Sequence, residues 1–134
     1  MNPLFHEIFQ KTRFLSKELN QVLKEYNLFA SQWTVLYCIY QHRDMTLTEI
    51  WKYLNVEAPT ITRTVNRLAE LGWLTIEEGI DRRERIVKLS KEAATNFPEI
   101  EGAIIRFETR FLERLTKDEQ AQLISLLKKM EVEG

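Results

Sequence analysis

The 134-residue chain reads as a mainly α-helical protein with one small β-hairpin, and three observations predict this. Apolar residues recur at helical spacing over most of its length. Between Trp73 and Ser90 the period falls to two: Leu74 and Ile76 alternate with Thr75 and Glu77, then Val87 and Leu89 with Lys88 and Ser90. Ahead of that hairpin, Thr46 to Gly72 holds two short amphipathic segments joined by a tight turn. Helix, turn, helix and hairpin in this order make a winged helix-turn-helix.

Taken in order, Phe5, Ile8, Phe9, Leu15, Leu19, Val22, Leu23 and Tyr26 give the first helix a broad apolar stripe, which Asn27 interrupts. Ser31 is the expected cap of a second helix burying Trp33, Leu36, Tyr37 and Tyr40. Gln41-His42-Arg43-Asp44 is a polar link. Thr46 caps the next helix, with Glu49 placed to bond back and Met45 and Ile50 placed as a staple. Leu47, Ile50 and Leu54 form its apolar face, and Asn55 tolerates the left-handed backbone that ends it.

The following helix starts near Pro59, whose fixed φ suits a first turn. Ile61, Val65, Leu68 and Gly72 share one face, and Gly72 stands where a helix ends. The opposite face carries Pro59, Thr60, Thr62, Arg63, Asn66 and Arg67, with Glu70 at its far end. Short hydroxyls, an amide and two arginines suit contacts to base edges and phosphates. Strands over Trp73–Glu78 and Glu84–Ser90 flank a basic tip, Gly79-Ile80-Asp81-Arg82-Arg83. Ser90 caps another helix, which Pro98 is expected to kink. Phe97, Ile100, Ile104, Phe107, Phe111 and Leu115 continue one stripe there. Thr116 and Glu119 form a second capping box, before Leu123, Leu126, Leu127 and Met130.

Composition narrows the function. One domain of 16.0 kDa is expected, and a net charge of −1 with pI about 6.2 argues against indiscriminate binding to nucleic acid. DNA binding then needs a local patch, which Arg82, Arg83, Arg85 and Lys88 supply against Asp81 and Glu84. No apolar run is long enough to span a bilayer and the N-terminus has no signal-peptide pattern, so a cytoplasmic protein is expected. Cys38 lies in an apolar helical run and reads as a small core residue. His6 and His42 have no partner motif, and no phosphate loop, metal spacing or cofactor signature occurs; no enzyme, metal or cofactor is expected.

The run Thr-Ile-Thr-Arg-x-Val-x-Arg-Leu-x-x-Leu-Gly-Trp-Leu, with Asp81-Arg82-Arg83, Lys88-Leu89-Ser90 and Gln32-Trp33-x-Val35-Leu36, resembles the MarR family of bacterial transcriptional regulators over nearly the whole chain. The resemblance implies a homodimeric repressor on a pseudo-palindromic operator. It implies dimerisation helices in 1–30 and 91–134 and a DNA-binding lobe in 31–90, within one domain spanning 1–134. It makes Arg83 the minor-groove residue and Asp81 the residue that orients it. It also implies release by a small, often aromatic ligand, for which Trp33, Tyr37 and Tyr40 are candidate pocket residues, although aromatics at helical spacing are more often core. Peroxide-sensing relatives carry a cysteine near the start of the first helix, where this chain has none.

The sequence departs from the family at Glu57, where a Ser or Thr cap is usual; at Ala58, which offers no polar contact; at Trp51, normally small; and at Ala93, often glycine. The apolar stripes at both ends exceed what the central module can cover, which predicts a two-fold dimer in preference to packing within one chain. The competing class is a winged helix that binds an acidic protein partner, kept open by the near-neutral charge.

Overall fold

Asn2 opens the first helix, its Oδ1 accepting the Leu4 N–H at 2.9 Å while Pro3 supplies the first-turn φ. The computed structural model describes residues 1–81 and 83–132. Helix α1 (Pro3–Leu23) tightens into one further turn, Lys24–Tyr26, which Asn27 closes in the left-handed region at φ 58°. The interruption expected at Asn27 is therefore a helix stop. Helix α2 (Ala30–His42) begins earlier than expected, and Ser31 lies inside it. The cap position is Phe29, whose N–H is held by Gln32 Oε1 at 2.9 Å, while Asn20 of α1 takes the Ala30 N–H at 2.7 Å. A bond from another helix replaces the local hydroxyl.

Helix α2 ends in strained backbone. Arg43 has φ 67° and ψ −73°, and the Asp44 N–H bonds the His42 carbonyl at 2.9 Å. This is a γ-turn of the rare positive-φ kind, costing about 1–3 kcal/mol. The chain then enters a strand the sequence did not announce, β1 (Met45–Thr46). Thr46 also caps α3 (Leu47–Leu54) as expected, with reciprocal bonds to Glu49 of 3.1 and 3.0 Å. Asn55 ends α3 at φ 54°.

Helix α4 (Ala58–Glu70) starts on Glu57, whose side chain makes no capping bond. It ends in a Schellman arrangement around Gly72 at φ 88°: the Trp73 N–H bonds the Leu68 carbonyl at 2.9 Å and the Gly72 N–H the Ala69 carbonyl at 3.1 Å. Strands β2 (Leu74–Glu78) and β3 (Arg85–Leu89) pair antiparallel, Ile76 opposite Val87. β1 adds to the far side of β3 with Met45 opposite Val87, so the hairpin is part of a three-stranded sheet ordered β1-β3-β2. The Ser90 hydroxyl donates to the Gly72 carbonyl at 2.8 Å and accepts the Ala93 N–H at 3.1 Å, joining hairpin to α5 (Lys91–Phe111).

Helix α5 runs unbroken through Pro98, with Phe97 and Ile100 on either side of it buried. The core is built around α2. Val35, Leu36, Cys38 and Ile39 meet Ile50 of α3, Val65 and Leu68 of α4, Val87 of β3, and Leu23, Phe97 and Ile100 from the flanking helices. Tyr37 and Tyr40, expected inside, are 37% and 42% exposed, because the inward face of α2 is the Val35–Ile39 side. Helix α6 (Lys117–Lys129), capped by Thr116 and Glu119 as expected, buries nothing. Its Leu123, Ile124, Leu126 and Leu127 stand open, as do Phe5, Phe9 and Phe14 of α1.

Candidate nucleic-acid interface

Two elements can reach a large anionic partner, the polar face of α4 and the tip of the β2–β3 hairpin. Burying Ile61, Val65 and Leu68 fixes the rotation of α4. That rotation leaves Pro59, Thr60, Thr62, Arg63, Asn66 and Arg67 exposed, all six on the outward side. Thr62 Oγ1 donates to the Ala58 carbonyl at 3.0 Å and so keeps its acceptor lone pairs outward. Arg63 leans toward Thr60, Nη2 to Oγ1 3.4 Å. Arg67 pairs with Glu70 at 3.2 Å, both side chains more than 60% exposed, so the pair is weakly held and readily exchanged.

The hairpin tip is shaped by backbone bonds. Gly79 N–H reaches the Glu84 carbonyl at 2.9 Å, and Glu84 N–H the Asp81 carbonyl at 2.9 Å. The Asp81 carboxylate accepts the Arg83 backbone N–H at 3.1 Å. Asp81 thus acts on Arg83 through its main chain, closing a local turn that leaves the guanidinium exposed. Arg85 stands at the hairpin edge opposite Glu78, also exposed. Arg82 lies outside the described residues.

Helix and tip share one surface. A cleft of about 560 Å³ is lined by Thr46–Glu49 of the α3 start, by Trp51, Ala58 and Thr62, and by Arg83, Glu84 and Arg85. Two of the residues that depart from the family pattern, Trp51 and Ala58, therefore sit in the wall between α4 and the hairpin. The basic patch is narrower than composition suggested. Lys88, grouped with the arginines, is turned to the other end of the hairpin, 3.2 Å from Glu77 and 3.9 Å from Asp44. Those carboxylates, Glu77 first, push the Lys88 ammonium above its usual range.

The candidate pocket residues form a stack. Trp33, Tyr40 and Tyr37 lie with ring centroids 4.8, 3.9 and 6.4 Å from Phe97 of α5. Phe97 was visible only as one member of the α5 stripe, and nothing in its spacing placed it among the α2 aromatics. Beside Tyr40 opens a cleft of about 570 Å³, bounded by Gln41, Arg43, Asp44 and Lys88. A larger groove of about 960 Å³ runs between the end of α1 and α5, past Val22, Lys24, Ala103 and Arg106. Cys38 is buried with Sγ 3.2 Å from Met45 Sδ, and burial pushes its thiol up. His42 Nδ1 lies 2.9 Å from the Cys38 carbonyl, and His6 is exposed on α1, far along the chain from it.

Known proteins share this fold. The model of the MarR family matches residues 28–84. The chain is 44% identical over 127 residues to YwoH of Bacillus subtilis (strain 168), an uncharacterized HTH-type transcriptional regulator, covering 95% of this chain and 92% of that one. A mutant MarR from E. coli complexed with operator DNA superposes with a TM-score of 0.90 at 28% identity, covering 98% of this chain and 95% of that one. Wild-type MarR from E. coli in its apo form gives 0.75 at 29% identity, covering 98% and 96%.

Proposed function

Because the chain belongs to the MarR family of transcriptional regulators, we propose that it represses transcription by binding a pseudo-palindromic operator as a homodimer. One observation carries the reading: Thr62 of α4 and Arg83 and Arg85 of the hairpin line the same cleft, so a major-groove reader and a flanking arginine face one way. Thr60, Thr62 and Arg63 read bases, and Asn66 and Arg67 hold phosphates once Arg67 leaves Glu70. Arg83 enters the adjoining minor groove, where a narrow groove concentrates negative potential.

Residues 31–90 form the DNA-binding lobe and residues 1–30 and 91–134 the dimerising part, the two sharing a core through Leu23 and Phe97. The open apolar side chains of α1 and α6 become the subunit interface, setting two α4 helices about one turn of DNA apart. A small aromatic ligand that inserts among Trp33, Tyr37, Tyr40 and Phe97 would shift α2 against α5 and so bias the dimer between two arrangements. The protein works in the cytoplasm and is not an enzyme, in keeping with a family of transcriptional regulators. Among the described residues no helix is long and apolar enough to cross a membrane.

The test is fluorescence anisotropy of the purified chain against duplex from its own upstream region and a scrambled duplex, at several salt concentrations. Selective binding whose log affinity falls steeply with log salt is the expected result. Equal weak binding to both duplexes would replace the operator reading with that of a protein-binding winged helix.

A further inference from the structure

The hairpin is a lever, and its base carries an ion-pair row set apart from the DNA-facing surface. Val87 points into the core, so Lys88 emerges on the opposite face of the sheet. On that face Lys88 reaches Glu77 of β2 on one side and Asp44 on the other, one residue before β1. The row runs from Asp44 at the entry to β1, through Lys88 of β3, to Glu77 of β2, in the order of the sheet. β1 grips β3 through only two residue pairs, and beyond them the hairpin runs on alone to Arg83. From Lys88 to Arg85 is three residues of β3, roughly 10 Å, so a tilt of about ten degrees at the base moves Arg85 by roughly 2 Å and the tip beyond it further. Asp44 in turn is set by the γ-turn at Arg43, a geometry adopted at a definite cost and therefore held by its surroundings.

We propose that Lys88 is a positioning residue: by bridging Asp44 and Glu77 it fixes the angle at which the hairpin carries Arg83 and Arg85 beside α4. The brace adds little to stability, since its members are partly solvated. Its role is geometric. The inference rests on the operator-binding reading for its consequence, but the hairpin angle is measurable without DNA.

The first arm uses the full chain with Glu70→Cys and Ile80→Cys, both exposed positions, carrying nitroxide labels while buried Cys38 stays unlabelled. Lys88→Met and Asp44→Asn should each broaden the α4-to-tip distance distribution, and Lys88→Arg should leave it as in the parent. An unchanged distribution in Lys88→Met overturns the proposal, whatever the DNA results. The second arm is duplex anisotropy. Asp44→Asn should weaken binding roughly three- to tenfold although it removes a negative charge from a protein that binds a polyanion, and tighter binding overturns the brace. Lys88→Met should weaken binding similarly with the salt slope of the parent. A slope smaller by about one would make Lys88 a direct phosphate contact and overturn the positioning role. If the parent chain shows no selective duplex binding, the operator reading falls and the label distances still decide the brace.

Discussion

Arg83 is presented by a turn that its neighbour closes: the Asp81 carboxylate takes its backbone N–H, leaving the guanidinium exposed. Replacing Arg83 with Ala should therefore leave thermal unfolding nearly unchanged and weaken duplex binding by about 1–3 kcal/mol, read by anisotropy. Asp81→Ala should also weaken binding, although simple charge counting predicts the opposite. A tighter complex would show that the turn does not orient the arginine. Cys38 offers an independent check on the core. Its burial raises the thiol and shields it, so it should resist thiol-reactive dye in the native chain at neutral pH and react in denaturant. Native-state labelling at the rate of the unfolded chain would mean that the α2 core opens readily.

Between elements, the joints matter more than the helices. The strained exit from α2 at Arg43 leads through Asp44 into β1, which pairs the hairpin sheet with the segment before α3. Glycine adopts positive φ without the Cβ penalty, so Arg43→Gly should release more strain, about 1–3 kcal/mol, than its chain entropy costs, about 0.5–1 kcal/mol. The expected outcome is a Tm higher by several degrees in calorimetry. An unchanged or lower Tm would place the compensation in contacts of the Arg43 side chain. Where stabilisation came with weaker duplex binding, the strain would belong to the interface geometry.

For the whole molecule, the proposed dimer turns on open apolar surfaces. α6 buries no residue within its own chain, and Phe5, Phe9 and Phe14 of α1 are about half exposed. A monomer that left these faces in water would be an aggregation liability. If the dimer forms through these faces as proposed, Leu126→Asp or Phe9→Asp should convert it to monomer in sedimentation at micromolar concentration and lower stability, because each places an unpaired charge in an apolar interface. Because two linked lobes must be engaged for tight binding, either variant should also lose operator affinity. A dimer that survives both changes would put the subunit contact elsewhere.

What the sequence determined by itself is local chemistry. The capping boxes at Thr46 and Thr116, the left-handed stops at Asn55 and Gly72, the outward face of α4 and the alternation of the hairpin each depend on residues within about four positions. Their spacing therefore exposed them, and with them the winged helix-turn-helix and most of its outward face. Tertiary structure decided whatever depends on distant partners. Asn20 caps α2 in place of Ser31 because α1 lies alongside it. β1 exists because β3 offers it an edge. Phe97 joins the α2 aromatics because α5 crosses there. Lys88 left the basic patch because the hairpin brings Glu77 to its side and the fold brings Asp44, and the contact with Asp44, dozens of positions away, leaves no periodicity in a single sequence.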